Sequence, residues 1–139
     1  MPTLEETIMT YLGDLSHSKQ TTNDIDFEEK NGTTGEVAMG YIYSMPFRGN
    51  PEKKQLVIKR IHVNGKNVVT PTLQKIFQTG LLTEIKIESI QNQEWIPKLE
   101  QRGWIIETDD GGLHHAVIKG GRRTRKRSRK NKKSRTNKR

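Results

Sequence analysis

Leu4, Ile8, Tyr11, Leu12 and Leu15 recur at helical spacing behind Thr3 and Glu6, a pair that fits the S/T-x-x-E capping box. The pattern predicts a helix over about 4–15, closed by the polar run "SHSKQTTND". Ile25 and Phe27 then alternate with acids, which predicts a strand. "KNGTTG" supplies a hairpin turn, because Asn-Gly tolerates the positive φ that such turns require. Val37, Met39, Tyr41, Tyr43 and Met45 alternate over nine residues, the clearest strand signal in the chain. The turn "PFRGNPEKK" leads into a further strand, "QLVIKRIHV". Thr70 and Pro71 suit the N-cap and first position of a helix with a buried stripe of Leu73, Ile76 and Phe77 and a stop at Gly80. "TEIKIESI" predicts a strand. Asn92 opens a second helical stretch, with Trp95, Ile96 and Leu99 on one face and Gly103 at its end. Pro97 brings no backbone donor and favours a start later than Asn92. "WIIETDD" and "LHHAVIK" predict a closing hairpin around Asp110-Gly111-Gly112.

The order is α-β-β-β-α-β-α-β-β, hairpins first and helix crossovers after. It predicts an α/β (α+β) protein with a mixed sheet and helices on its faces. Charge then divides the chain. Of its 25 Lys and Arg, 12 fall within the 18 residues 122–139, which hold no acid; that leaves 13 bases against 16 acids, a net −3, in the rest. Residues 1–119 are therefore expected to form one mildly acidic domain and residues 120–139 a basic tail, predicted to be disordered in isolation because it has no apolar residue to pack. With no cysteine, disulfides, thiolate metal sites and a cysteine nucleophile are excluded. No apolar run approaches the ~20 residues of a membrane span, and the acidic, amphipathic start is unlike a signal peptide. A soluble intracellular protein is expected, not a secreted one.

From Val37 onward the order resembles the GNAT superfamily of N-acetyltransferases. The most specific stretch is "IKIESIQNQEWIPKLEQRGWIIE", similar to the family's strand, Asn, helix and Gly-aromatic ending. Ile85, Ile87, Glu88, Ile90, Asn92, Leu99, Arg102, Gly103 and Trp104 fit that pattern, and "GGLHHAVIKG" resembles the family's last strand. The resemblance covers about residues 35–119 and implies the acyl-CoA N-acyltransferase fold, acetyl-CoA as cofactor and an amine as acceptor.

It also places the family's pyrophosphate signature, R/Q-x-x-G-x-G/A, over Asn64, Asn67 and Val69, with Gly65 and Lys66 at the unspecified positions. Backbone amides at a helix N-terminus hold the phosphates in such loops. Asn67 stands where the family has Gly, and Asn is the best non-Gly residue for left-handed backbone. Val69 puts a β-branched side chain where the phosphate passes. The implied cofactor-binding residues are Ile61, Val63, Gly65, Lys66, Asn67, Val68, Val69, Thr70 and Asn92. The family's frequent Tyr acid is Leu99 here. His62 and, second, Glu88 are the candidates for a base.

His114 and His115 are adjacent on a strand, point to opposite faces and do not chelate one ion, so no metal is expected. Tyr41 and Tyr43, with Met39 and Met45, suit a covered sheet face better than a base-stacking platform. The tail carries the densest signal. Arg122, Arg123, Arg125, Lys126, Arg127, Arg129, Lys130, Lys132, Lys133, Arg135, Lys138 and Arg139 suit a phosphate-rich partner. Without aromatics the tail is expected to bind nucleic acid with little regard to sequence. "RKRSRKNKK" also suits nuclear import. The "GGRRTRK" ending is similar to those of proteins of large DNA viruses, which implies a nuclear or virion location.

Overall fold

Thr3 caps α1 (Leu4–Leu12) through both halves of the expected box: Glu6 N–H donates to Thr3 Oγ1 at 3.2 Å and Thr3 N–H to Glu6 Oε1 at 2.9 Å. The helix ends earlier than the spacing predicts, at Gly13, and Leu15 sits half-buried in the following loop, its carbonyl accepting from the Tyr41 hydroxyl at 2.7 Å. This computed structural model describes residues 1–120. The predicted disorder and the nucleic-acid contacts of the tail fall outside the described residues.

The elements follow in the expected order. After α1 come β1 (Ile25–Glu28), β2 (Thr34–Ser44), β3 (Lys53–Asn64), α2 (Val69–Gln78), β4 (Glu84–Ile90), α3 (Trp95–Gln101), β5 (Ile105–Thr108) and β6 (His114–Lys119). They build one six-stranded mixed sheet, β1-β2-β3-β4-β6-β5, in which only β3 and β4 are parallel. The first crossover helix starts elsewhere than predicted. Thr70 is the second residue of α2 rather than its N-cap, and Pro71 is the third. Pro97 is likewise third in α3, which begins at Trp95, later than Asn92 as the proline favoured. Both prolines lie in a first turn, where the missing N–H has no intrahelical partner to lose.

The helices cover one face of the sheet, not both. Met39, Ile58, Ile87, Ala116 and Ile106 form a row across the strands by register, and Tyr41, Leu56, Ile85 and Ile118 form the next. All of these join the single cluster that takes Leu4, Ile8 and Leu12 of α1, Leu73 and Ile76 of α2 and Leu99 of α3. The opposite row, Gly40, Val57, Lys86, Val117 and Ile105, carries no helix, and Ile105 stays 56% exposed. The predicted Tyr stripe is divided accordingly. Tyr41 is buried, and burial pushes its phenol up to about 12, while Tyr43 is half-buried on Glu52 and Met45 is 72% exposed beyond the strand. No helix among the described residues is long and apolar enough to cross a membrane.

Candidate functional site

A bulge sets the site up. Ala38 pairs with Arg60 and Met39 with Ile58, so Lys59 is an extra residue in β3. One inserted residue reverses the alternation beyond it. Leu56 and Ile58 face the helices before the bulge; Ile61 and Val63 do so after it, and Arg60, His62 and Asn64 turn to the open face. Just there β3 and β4 part. Their parallel pairing stops at Ile58 with Ile87, although β3 runs on to Asn64 and stays paired with β2 throughout. The backbone of β3 from Lys59 onward therefore has a free edge toward β4.

The end of β4 is held away from β3 by a local bend. Ser89 has φ of 55°, and the ladder with β6 is irregular between Ile87 and Ile90. Ser89 N–H donates to His115 Nδ1 at 3.1 Å, so the ring proton sits on Nε2, which donates to Asp109 Oδ2 at 3.0 Å. The other Asp109 oxygen accepts from Gly111 and Leu113 N–H. His114 points elsewhere, to Thr108. The Leu113 backbone bond, His115 and the Gly111 backbone bond hold the Asp109 carboxyl below its ordinary 3.8. A depressed carboxyl stabilises the fold above its unfolded value and loses that contribution as pH falls through the folded one. Asp109→Ala is therefore expected to lower the melting temperature at pH 7, with the gap to wild type closing toward pH 3, as read by thermal melts at both pH values.

Two hollows meet in the gap. One, of about 340 Å³, is lined by Ile61, Val63, Gly65, Asn67, Val69 and Asn92, with Glu94, Trp95 and Lys98 of α3. The other, of about 300 Å³, holds Arg60, Glu88, Ser89 and Gln91. Ile61, His62, Asn92 and Trp95 line both. Six of the nine residues expected around a cofactor thus share one hollow. Lys66, Val68 and Thr70 do not line it. Both base candidates reach the other hollow. His62 is exposed, its Nε2 3.2 Å from Asn64 Oδ1. Glu88 is tied to Lys59 at 3.2 Å and Lys86 at 3.9 Å. Leu99, at the family's Tyr position, is fully buried in the core.

The loop from Asn64 to Val68 spends some of its own amides. Gly65, at φ of 124°, lies so close to the β1–β2 turn that a Cβ would stand 2.9 Å from Thr33 Oγ1. Lys66 N–H donates to that same hydroxyl at 3.3 Å, away from the hollow. Asn67 is absent from the residues with left-handed backbone, against expectation. Its side chain does the work instead: Oδ1 accepts from Val69 N–H at 3.0 Å, and Nδ2 reaches Thr70 Oγ1 at 3.4 Å. Val69 lines the hollow but is only 3% exposed, and its side chain packs into the core.

Trp95 is the residue that spacing alone undervalues. It belongs to the apolar stripe of α3, yet its Nε1–H donates to Thr70 Oγ1 at 2.8 Å and clamps α3 to the start of α2 across the slot. Lys98 is one turn on. Among the described residues no group of three or more His, Asp or Glu is gathered for a metal. No protein-family model, curated protein or solved structure matches this chain.

Proposed function

We propose that residues 1–119 are a GNAT-like acyl-CoA N-acyltransferase-fold domain that binds acetyl-CoA in the slot between β3 and β4 and passes its acetyl group to an amine. Residues 120–139 tether it to nucleic acid. One observation carries the reading: a parallel strand pair parts after Ile58 and Ile87 and leaves a free β3 edge beside a helix-start loop. A pantetheine arm is amide-rich and adds to a free strand edge as a peptide does. The loop and the α2 N-terminus then face the pyrophosphate. In the transfer, the neutral amine attacks the thioester carbonyl, the C–S bond breaks and the thiolate takes up a proton. His62, at the rim of both hollows, is the group placed to relieve the amine of its proton.

A second reading makes the chain a non-enzymatic nucleic-acid-binding or virion structural protein built on an inactive form of this fold. It draws on Glu88, neutralised by two lysines, and on Asn67, whose oxygen already occupies the Val69 N–H.

Acetyl-CoA separates them. At ligand about 100 times Kd the folded state gains about 2.7 kcal/mol. For a domain of this size that is a rise in melting temperature of roughly 10 °C. Asn67→Gly removes the internal acceptor and is expected to enlarge the shift. If millimolar acetyl-CoA moves neither protein, the enzyme reading is lost and the binding module stands.

A further inference from the structure

We infer that the β2–β3 hairpin tip is a second nucleic-acid contact, which takes an unstacked base of a single strand on the Phe47 ring. The inference rests on the reading of the tail as nucleic-acid-binding and adds a folded surface to it.

Four of the seven exposed large hydrophobics among the described residues, Ile42, Met45, Phe47 and Leu81, lie toward the sheet end that carries this hairpin. Phe47 is 64% exposed at the start of the tight turn Phe47-Arg48-Gly49-Asn50, closed by backbone bonds of 2.9 and 3.1 Å between its first and last residues. Arg48 and Gly49 both have positive φ, 48° and 85°. Gly and Asn suit the first of these positions; Arg does not. A residue kept where backbone preference opposes it points to a use for its side chain. The Arg48 guanidinium lies 5.1 Å from the Phe47 ring centroid, so cation and π face are presented together.

The same end is where the basic tail begins. Gly120 N–H donates to Thr83 O, and Thr83 N–H donates to Lys54 O. The root of the tail therefore stands one strand away from Lys53 and Lys54, which follow the hairpin. The slot opens at the other ends of β3 and β4, so both surfaces can be occupied at once. Phosphates along the tail and a base on Phe47 combine the two parts of single-strand binding, a cationic track and an aromatic platform; the tail supplies no aromatic of its own.

The test compares the full chain with its Phe47→Ala and Phe47→Tyr variants. Each is titrated against a labelled mixed-sequence DNA single strand, the matching duplex, and vesicles of phosphatidylserine and phosphatidylcholine. Phe47→Ala is expected to weaken single-strand binding by about five- to fiftyfold, with duplex binding unchanged and Phe47→Tyr close to wild type. Equal single-strand affinity of wild type and Phe47→Ala would overturn the hairpin and leave the tail reading intact. If the full chain binds neither DNA, both readings fall. If Phe47→Ala loses vesicle binding alone, the patch is a membrane face.

Discussion

Raising the salt from about 50 to about 200 mM is expected to weaken the full chain's hold on duplex DNA by about 10³- to 10⁵-fold, if roughly 6–10 of the tail's cations each engage a phosphate. The cause is counterion release. Each neutralised phosphate frees a condensed cation, and dissolved salt opposes that release. Twelve cations between Arg122 and Arg139 set the limit, a slope of affinity against salt near −11 at about −0.9 per contact. A chain ending at Gly121 is expected to lose this binding, since what remains carries a net −3 and is repelled by phosphate. Anisotropy titrations of both chains at two salt concentrations read the difference. Equal binding by the shortened chain would remove the tail from the interface.

Gly35→Ala is expected to have the largest effect on stability. Gly35 lies in β2 opposite Val63 and beside Phe27 of β1. A Cβ there would stand 2.2 Å from the His62 carbonyl oxygen and 2.7 Å from the Phe27 ring. The first neighbour is backbone and cannot swing aside, so the end of β3 must move off β2. Overpacking typically costs about 1–3 kcal/mol, and a clash with backbone belongs at the upper end of that range. Because Ile61 and Val63 wall the slot, Gly35→Ala should also erase any melting shift produced by acetyl-CoA. Gly40→Ala is the control. Its Cβ would meet the Thr21 hydroxyl at 3.2 Å and the Thr21 Cα at an ordinary 3.9 Å, and a surface side chain can give way, so a loss below about 1 kcal/mol is expected. Urea unfolding of the two variants measures both, and similar midpoints would sink the steric account.

The first crossover helix shows where sequence reading stops. Thr70-Pro71 carries the usual marks of a helix start, yet α2 begins at Val69. The deciding contacts are Asn67 Oδ1 on the Val69 N–H and Trp95 Nε1–H on the Thr70 hydroxyl. The second comes from 25 residues downstream. The resemblance to acetyltransferases pointed to residues that do converge, with Ile61, Val63, Gly65, Asn67, Val69 and Asn92 around one hollow. It did not reveal that Glu88 would be tied to Lys59 and Lys86. Those pairs depend on how far β3 and β4 run together before they part.

Periodicity, with the turn and cap residues between its runs, determined the nine elements among the described residues and their order, because alternation and helical spacing are local consequences of backbone geometry. Composition by itself determined that a mildly acidic stretch is followed by a strongly basic one, since charge is additive along the chain. Only the tertiary structure decided that one sheet face carries no helix, that an extra Lys59 turns His62 outward and that β3 and β4 separate. Each of these depends on strand register, and register is a relation between distant segments: a one-residue offset exchanges the faces of every residue beyond it.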